Sequence, residues 1–246
     1  MNSTAAPDAA SAPADQAAPV VRFDGASVGG AGEALGPGRL SFALAAGLFH
    51  VLTAPAGGGK SSILRLICAA ERPAVGRVEV FGADTATLGG KDLARLRRRI
   101  GLVFAQDRLL DHLSVFDNAA LVPRIAGRGR RDYAPEVAQI LTWVGLGRKM
   151  DAAPAALSAG ERRRLAIARA MAGRPEIVLA DEPTGGLDGD GGLRVLRLLA
   201  EINAAGTTVL MTTRHEEPAA ASGAPVLRLH QGRLTLSEGL DPAAAP

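Results

Sequence analysis

The chain has 246 residues, enough for one large α/β domain or a core with a smaller lobe, and long enough to bury a core without staples. Its 47% hydrophobic and 22% charged residues are ordinary for a globular protein, and a single cysteine, Cys68, excludes an intrachain disulfide framework and a cysteine-rich zinc site. The net charge of +3, from 28 basic and 25 acidic residues, does not mark a nucleic-acid binder, and the only lysines among the basic residues are Lys60, Lys91 and Lys149.

Residues 1–19 are rich in Ala, Pro, Asp and Ser, lack the basic and apolar regions of a signal peptide, and are expected to be a disordered tail. Strands are predicted at 20–26 and 40–45 around a glycine-rich turn, and a third at 49–53 runs into a glycine loop. Ile63, Leu64, Ile67 and Cys68 recur at helical spacing, so 61–70 is predicted as a helix. A strand at 77–81, a helix at 92–99 and a strand at 100–104 follow. Residues 107–160 read as a helical lobe, with helices near 115–121 and 135–144. Helices at 161–172 and 193–204 alternate with strands at 177–180 and 207–211, and a hairpin at 226–229 and 234–236 turns at Gln231-Gly232. Residues 237–246 are expected to be a flexible C-terminal tail. Strands alternating with helices imply an α/β fold with a largely parallel, helix-covered sheet. The longest stretch without a charge, 40–59, is broken by Pro55 and three glycines, so no helix is expected to span a bilayer and any membrane role must come through a partner.

Residues 54–61 read Ala-Pro-Ala-Gly-Gly-Gly-Lys-Ser between a strand and a helix, the context of a phosphate-binding P-loop. Backbone N–H groups of Ala56, Gly57, Gly58, Gly59, Lys60, Ser61 and Ser62 can face a polyphosphate at the helix N-terminus. Lys60 then reaches the β- and γ-phosphates of ATP, and the Ser61 hydroxyl binds Mg2+. Ala54 stands where the motif has its first glycine, which costs little if that residue needs no positive φ.

The apolar run 177–180 ends in Asp181-Glu182. After a P-loop in the same chain, these acids are assigned to Mg2+ (Asp181) and to the attacking water (Glu182) rather than to a merely solvated strand end. Ser158 and Glu161 are spaced as a capping box, and the same helix start can present Ser158 and Gly160 to an anion.

The order of P-loop, Leu157-Ser158-Ala159-Gly160-Glu161 signature and acidic strand resembles the ABC-type ATPases, across roughly residues 20–236. Such a resemblance implies a P-loop NTPase fold with a RecA-like core, an antiparallel β subdomain and a helical signature lobe. Within the family, the stretches 64–78, 97–104, 114–121 and 179–185 look most like the bacterial cell-division branch, the FtsE type. That likeness implies an ATPase homodimer on the cytoplasmic face of the inner membrane, bound to an FtsX-like integral membrane protein and to other division proteins, coupling ATP-driven closure to cell-wall hydrolysis. In such dimers each nucleotide lies between the P-loop of one subunit and the signature of the other, with Asp188 at the seam. Two other roles stay open: the ATPase of an exporter of the lipoprotein-release type, and a nucleotide-binding scaffold with little turnover.

Several positions depart from the family pattern. Its adenine-stacking aromatic would fall near Gly30, where none occurs; such stacking is worth about 1–3 kcal/mol elsewhere. The glutamine that helps hold Mg2+ and water should follow Phe104, but Ala105 does, with Gln106 next. Ala159 replaces the signature's middle glycine, and Arg214 follows Thr213 where a histidine is expected, with His215 next. Gln106 and His215 remain the candidates for those two catalytic roles, and slow hydrolysis is expected. Leu109, Leu110, Leu113 and Phe116 either receive a coupling helix of the membrane partner or pack the lobe internally. The arginine clusters at 95–99 and 128–131 carry no interleaved aromatics, which argues against nucleic acid.

Overall fold

Two sheets share the chain in the computed structural model, which describes residues 19–27, 39–230 and 233–237. The first is antiparallel, in the order β2 (Arg39–Ala45), β1 (Pro19–Ser27), β4 (Arg77–Val80), β5 (Ala83–Asp84). The second has six strands in the order β10 (Arg233–Ser237), β9 (Val226–His230), β3 (Phe49–Thr53), β8 (Thr208–Thr213), β7 (Ile177–Asp181), β6 (Ile100–Val103). Its strands from β9 to β6 are parallel, and only β10 runs against its neighbour. The α/β class, the RecA-like sheet and the antiparallel subdomain expected from the sequence are all present.

The central strands are buried at nearly every position, their polar His50, Thr208, Thr212 and Thr213 included, because they feed two cores by alternation. Ile177, Leu179 and Leu210 point into a core with helix α1 (Lys60–Ile67) and the antiparallel sheet, where Phe23, Leu44 and Val80 are buried. Val178, Ala180, Val209 and Met211 point the other way, against α3 (Val115–Ala119), α5 (Arg130–Trp143), α6 (Ala159–Met171) and α7 (Gly189–Ala204). Helix α2 (Gly90–Arg98) adds Leu96 to the first core, while α4 (Leu121–Ile125) and α8 (Glu216–Ala221) complete the set.

Where boundaries differ from the sequence reading, the cause is local. Helix α5 starts five residues before the expected Pro135, because Tyr133, Val137 and Leu141 form one buried face that outweighs the lost proline N–H. Helix α7 begins at Gly189, not 193: Asp188 caps it by accepting from Gly191 N at 2.6 Å, which carries it through a glycine-rich first turn. Strand β8 continues through Thr212 and Thr213, both fully buried threonines. Strand β5 and helix α8 had no sequence signal strong enough to be expected. The expected tails, the turn holding Gly30 and the Gln231-Gly232 turn lie outside the described residues, apart from Pro19 and Ser237 at the tail edges.

Parallel strands place their carboxyl ends on one edge of the sheet, where ligands of open α/β sheets bind. Thr53 pairs with Thr213, Asp181 with Thr212, and Val103 with Ala180. The P-loop, the acidic pair, the 104–107 segment and Arg214-His215 therefore leave the sheet side by side.

Candidate functional site

The glycine loop is built by close approach. A Cβ on Gly58 would lie 2.9 Å from both Ala54 Cβ and Pro55 O, and Gly59 turns into α1 with φ +90°. Ala54 does not take a positive φ, so it fills the usual glycine position without strain. Pro55, Ala56 and Gly57 are exposed, Ser61 and Ser62 are half-buried in the first turn of α1, and Lys60 is buried. Lys60 Nζ donates to Ala54 O at 2.7 Å and Pro55 O at 3.2 Å, and lies 3.4 Å from Glu182 Oε1.

Residues 120 positions apart meet beside it: Ser61 Oγ donates to Asp181 Oδ2 at 2.9 Å. On the other side Thr212 Oγ1 donates to Asp181 Oδ1 at 2.7 Å, bridging from the strand that separates β7 from β3. Glu182 follows with φ +45°, a left-handed conformation unusual for a glutamate and of the kind stored at functional sites. Its N–H donates to Thr212 O at 3.0 Å, and its carbonyl accepts from Arg163 Nη1 at 3.0 Å. Its side chain, 14% exposed, aims at Lys60.

Arg163 was not singled out in the sequence, where it looks like one of three solvated arginines opening a helix. It is 4% exposed and ties three segments together. Besides Glu182 O, it donates to Asp107 Oδ1 at 2.6 Å and to Ala105 O at 2.9 Å. Arg169, six residues further along α6, donates to Asp107 O at 2.7 Å and Arg108 O at 2.6 Å, and burial holds its pKa below the usual arginine value. The 105–108 segment is thus clamped to the signature helix. Gln106 itself is exposed.

The signature helix starts as its spacing implies. Ser158 Oγ accepts from Glu161 N at 3.3 Å, and Glu161 Oε2 accepts from Ser158 N at 3.0 Å. Lys149 Nζ, 2.7 Å from Glu161 Oε1, and the Ser158 N–H hold the Glu161 carboxyl below the usual carboxylate range. Ser158, Gly160, Arg164, Asp188 and Arg194 line an open cavity of about 530 Å³, and no residue of 54–62 lines it. His215 lines another cavity, with Thr184, Leu187, Asp188, Leu193 and Pro218. Arg214, not His215, meets Glu182: its N–H donates to Glu182 Oε2 at 3.3 Å.

Of the four apolar candidates at 109–116, Leu109 is buried and Phe116 is half-buried against the helical core, with Arg130 over its ring. Internal packing accounts for both. Leu110 is exposed and Leu113 half-buried, on a loop stapled by fully buried Asn118. Asn118 Oδ1 accepts from Leu110 N at 2.8 Å, and its Nδ2 donates to the carbonyls of Leu110, Leu113 and Ser114.

A family model described as ABC transporter matches residues 38–185. The cell division ATP-binding protein FtsE of Mycobacterium tuberculosis is 41% identical over 192 residues, covering 78% of this chain and 84% of the relative. The methionine import ATP-binding protein MetN 2 of Salmonella paratyphi A is 42% identical over 179 residues, covering 72% of this chain but only 53% of that longer protein. A solved dimeric ATP-binding cassette in a post-hydrolysis state, bound to ADP and Pi, superposes with a TM-score of 0.76 at 29% identity, over 88% of this chain and 97% of that one. By its sequence, its fold and the order of its motifs, the chain belongs to the ABC transporter family of ATP-binding subunits.

Proposed function

We propose that the chain hydrolyses ATP to ADP and phosphate, closing as a homodimer, and works in cell division with an FtsX-like integral membrane protein at the cytoplasmic face of the inner membrane. The observation that carries the chemistry is the convergence of Lys60, Ser61, Asp181 and Glu182, from two stretches of chain 120 residues apart, on one edge of the sheet. Lys60 binds the β- and γ-phosphates, and Glu182 accepts the proton of the attacking water. Ser61 and Asp181 offer oxygen donors suited to Mg2+, which when bound neutralises phosphate charge. Among the described residues no group of three or more His, Cys, Asp or Glu side chains could hold a metal. Two protein ligands completed by phosphates and water is the arrangement this hard cation favours. The signature cavity, lined by no P-loop residue, supports a site completed by a second subunit, with Ser158, Gly160 and Asp188 facing the partner's nucleotide. Cell division rests on the FtsE relative, and no helix among the described residues is long and apolar enough to cross a membrane.

A phosphate-release assay beside equilibrium ATP binding tests the chemistry. Glu182→Gln should lower turnover by about 10²–10⁴-fold and leave ATP bound. If wild type and variant both bind ATP and neither releases phosphate, alone or with the membrane partner, the scaffold reading replaces hydrolysis. Gln106 and His215, each one residue beyond its family position after Phe104 and Thr213, motivate that second reading and the expectation of slow turnover. A transport role is the alternative to cell division, supported by the methionine import relative.

A further inference from the structure

The carboxylate of Glu182 is approached by two cations that differ in how they are held. Lys60 is 7% exposed and already bonded to two loop carbonyls. Arg214 is anchored only by its backbone, whose N–H donates to Glu182 Oε2 at 3.3 Å. Its guanidinium is 54% exposed, with Nε 3.8 Å from Glu182 Oε1, too far for a hydrogen bond but close enough for attraction. It stands immediately after β8, the strand lying between the P-loop strand and the acidic strand. Its neighbour His215 is turned away by local geometry: its N–H donates to Thr213 Oγ1 at 3.1 Å, it caps α8, and its side chain lines the cavity beside Asp188 and Pro218.

We propose that Arg214 is a γ-phosphate ligand that, until nucleotide arrives, helps Lys60 hold Glu182. The proposal rests on the nucleotide reading of the Lys60, Ser61 and Asp181 site. A guanidinium is charged at every working pH and presents a planar fork that matches two phosphate oxygens. An exposed, loosely paired arginine can swing to such an anion without breaking a buried contact. A terminal phosphate seated against Lys60 carries more charge than a carboxylate and draws both cations to itself. Glu182 is then released as an acceptor for the water proton at the moment a hydrolysable phosphate is in place. The β-phosphate of ADP, bound in the glycine loop, lies deeper and has no such demand for Arg214.

Binding of Mg2+-ADP and of a non-hydrolysable ATP analogue, adenylyl imidodiphosphate, to the full chain separates the outcomes. Arg214→Ala should weaken the triphosphate analogue by about tenfold or more, the scale of one lost charge-assisted hydrogen bond, with ADP affinity within about twofold of wild type. Arg214→Lys should restore only part of the loss, because the charge is kept but the planar two-pronged fork is not. Unchanged preference for the triphosphate in Arg214→Ala, or loss of that preference in His215→Ala instead, overturns the assignment. Equal loss of both ligands in Arg214→Ala also overturns it, since the arginine would then support the loop as a whole. If the unsubstituted chain binds neither nucleotide, the underlying nucleotide reading fails, a result distinct from any variant-specific loss.

Discussion

Single positions decide how the glycine loop can take a phosphate. Gly58 has no room for a side chain: its missing Cβ would sit 2.9 Å from the Pro55 carbonyl oxygen. Gly58→Ala should therefore introduce about 1–3 kcal/mol of local strain, relieved by opening the exposed loop. Nucleotide affinity is expected to fall by about tenfold or more, measured by equilibrium binding, while the urea midpoint shifts little. A variant that binds as wild type does would show that the loop relaxes without moving its N–H groups. Ala54 shows the converse, since the family's glycine was replaceable where the backbone needs no positive φ. Glu182 combines an unusual φ with a nearly buried carboxylate, and neither property was visible in the residue pair Asp181-Glu182.

At the scale of elements, the signature helix is joined to the sheet edge by buried charge. Arg163 and Asp107, 5% and 14% exposed at their side chains, form the pair between α6 and the segment after β6. Removing one partner of a buried ion pair strands the other, at a cost of about 3–5 kcal/mol. Arg163→Met should lower the urea midpoint accordingly, and Arg163→Met with Asp107→Leu should recover part of it. The recovery is partial because Ala105 O and Glu182 O also lose their donor. A cost below about 1 kcal/mol for Arg163→Met would mean that the pair behaves as a surface bridge. The same clamp fixes the backbone on which Gln106 sits, so the 105–108 segment and the signature helix are expected to move together.

For the whole molecule, the helical layer presents a partly apolar loop away from its own core. Leu110 is 37% exposed while Leu109, one residue earlier, is 9% exposed. If this loop receives the membrane partner, Leu110→Asp should abolish co-purification with an FtsX-like protein and leave ATP binding intact. Leu109→Asp should instead lower stability, because it buries a charge in the helical core. Retained co-purification with Leu110→Asp would move the docking surface elsewhere. The proposed homodimer closure belongs to this scale as well: the signature cavity and the P-loop belong to one site only if a second subunit supplies the missing half.

Local spacing made the α/β architecture, the P-loop, the capping box and the buried acidic strand legible in the sequence. Each depends on residues within about one element of one another, where strand alternation, helix periodicity and turn chemistry act. The helix starts at Arg130 and Gly189 were less legible, because packing and a cap overrode the proline and glycine signals. Tertiary structure alone decided the long-range chemistry. It placed Ser61 on one oxygen of Asp181 across 120 residues and Thr212 on the other. It buried Arg163 from within an arginine run, and it brought Arg214 rather than His215 to Glu182. These outcomes depend on which strand lies beside which and on where each chain turns as it leaves the sheet. No spacing along a single sequence encodes that, because it is settled by the joint burial of both cores.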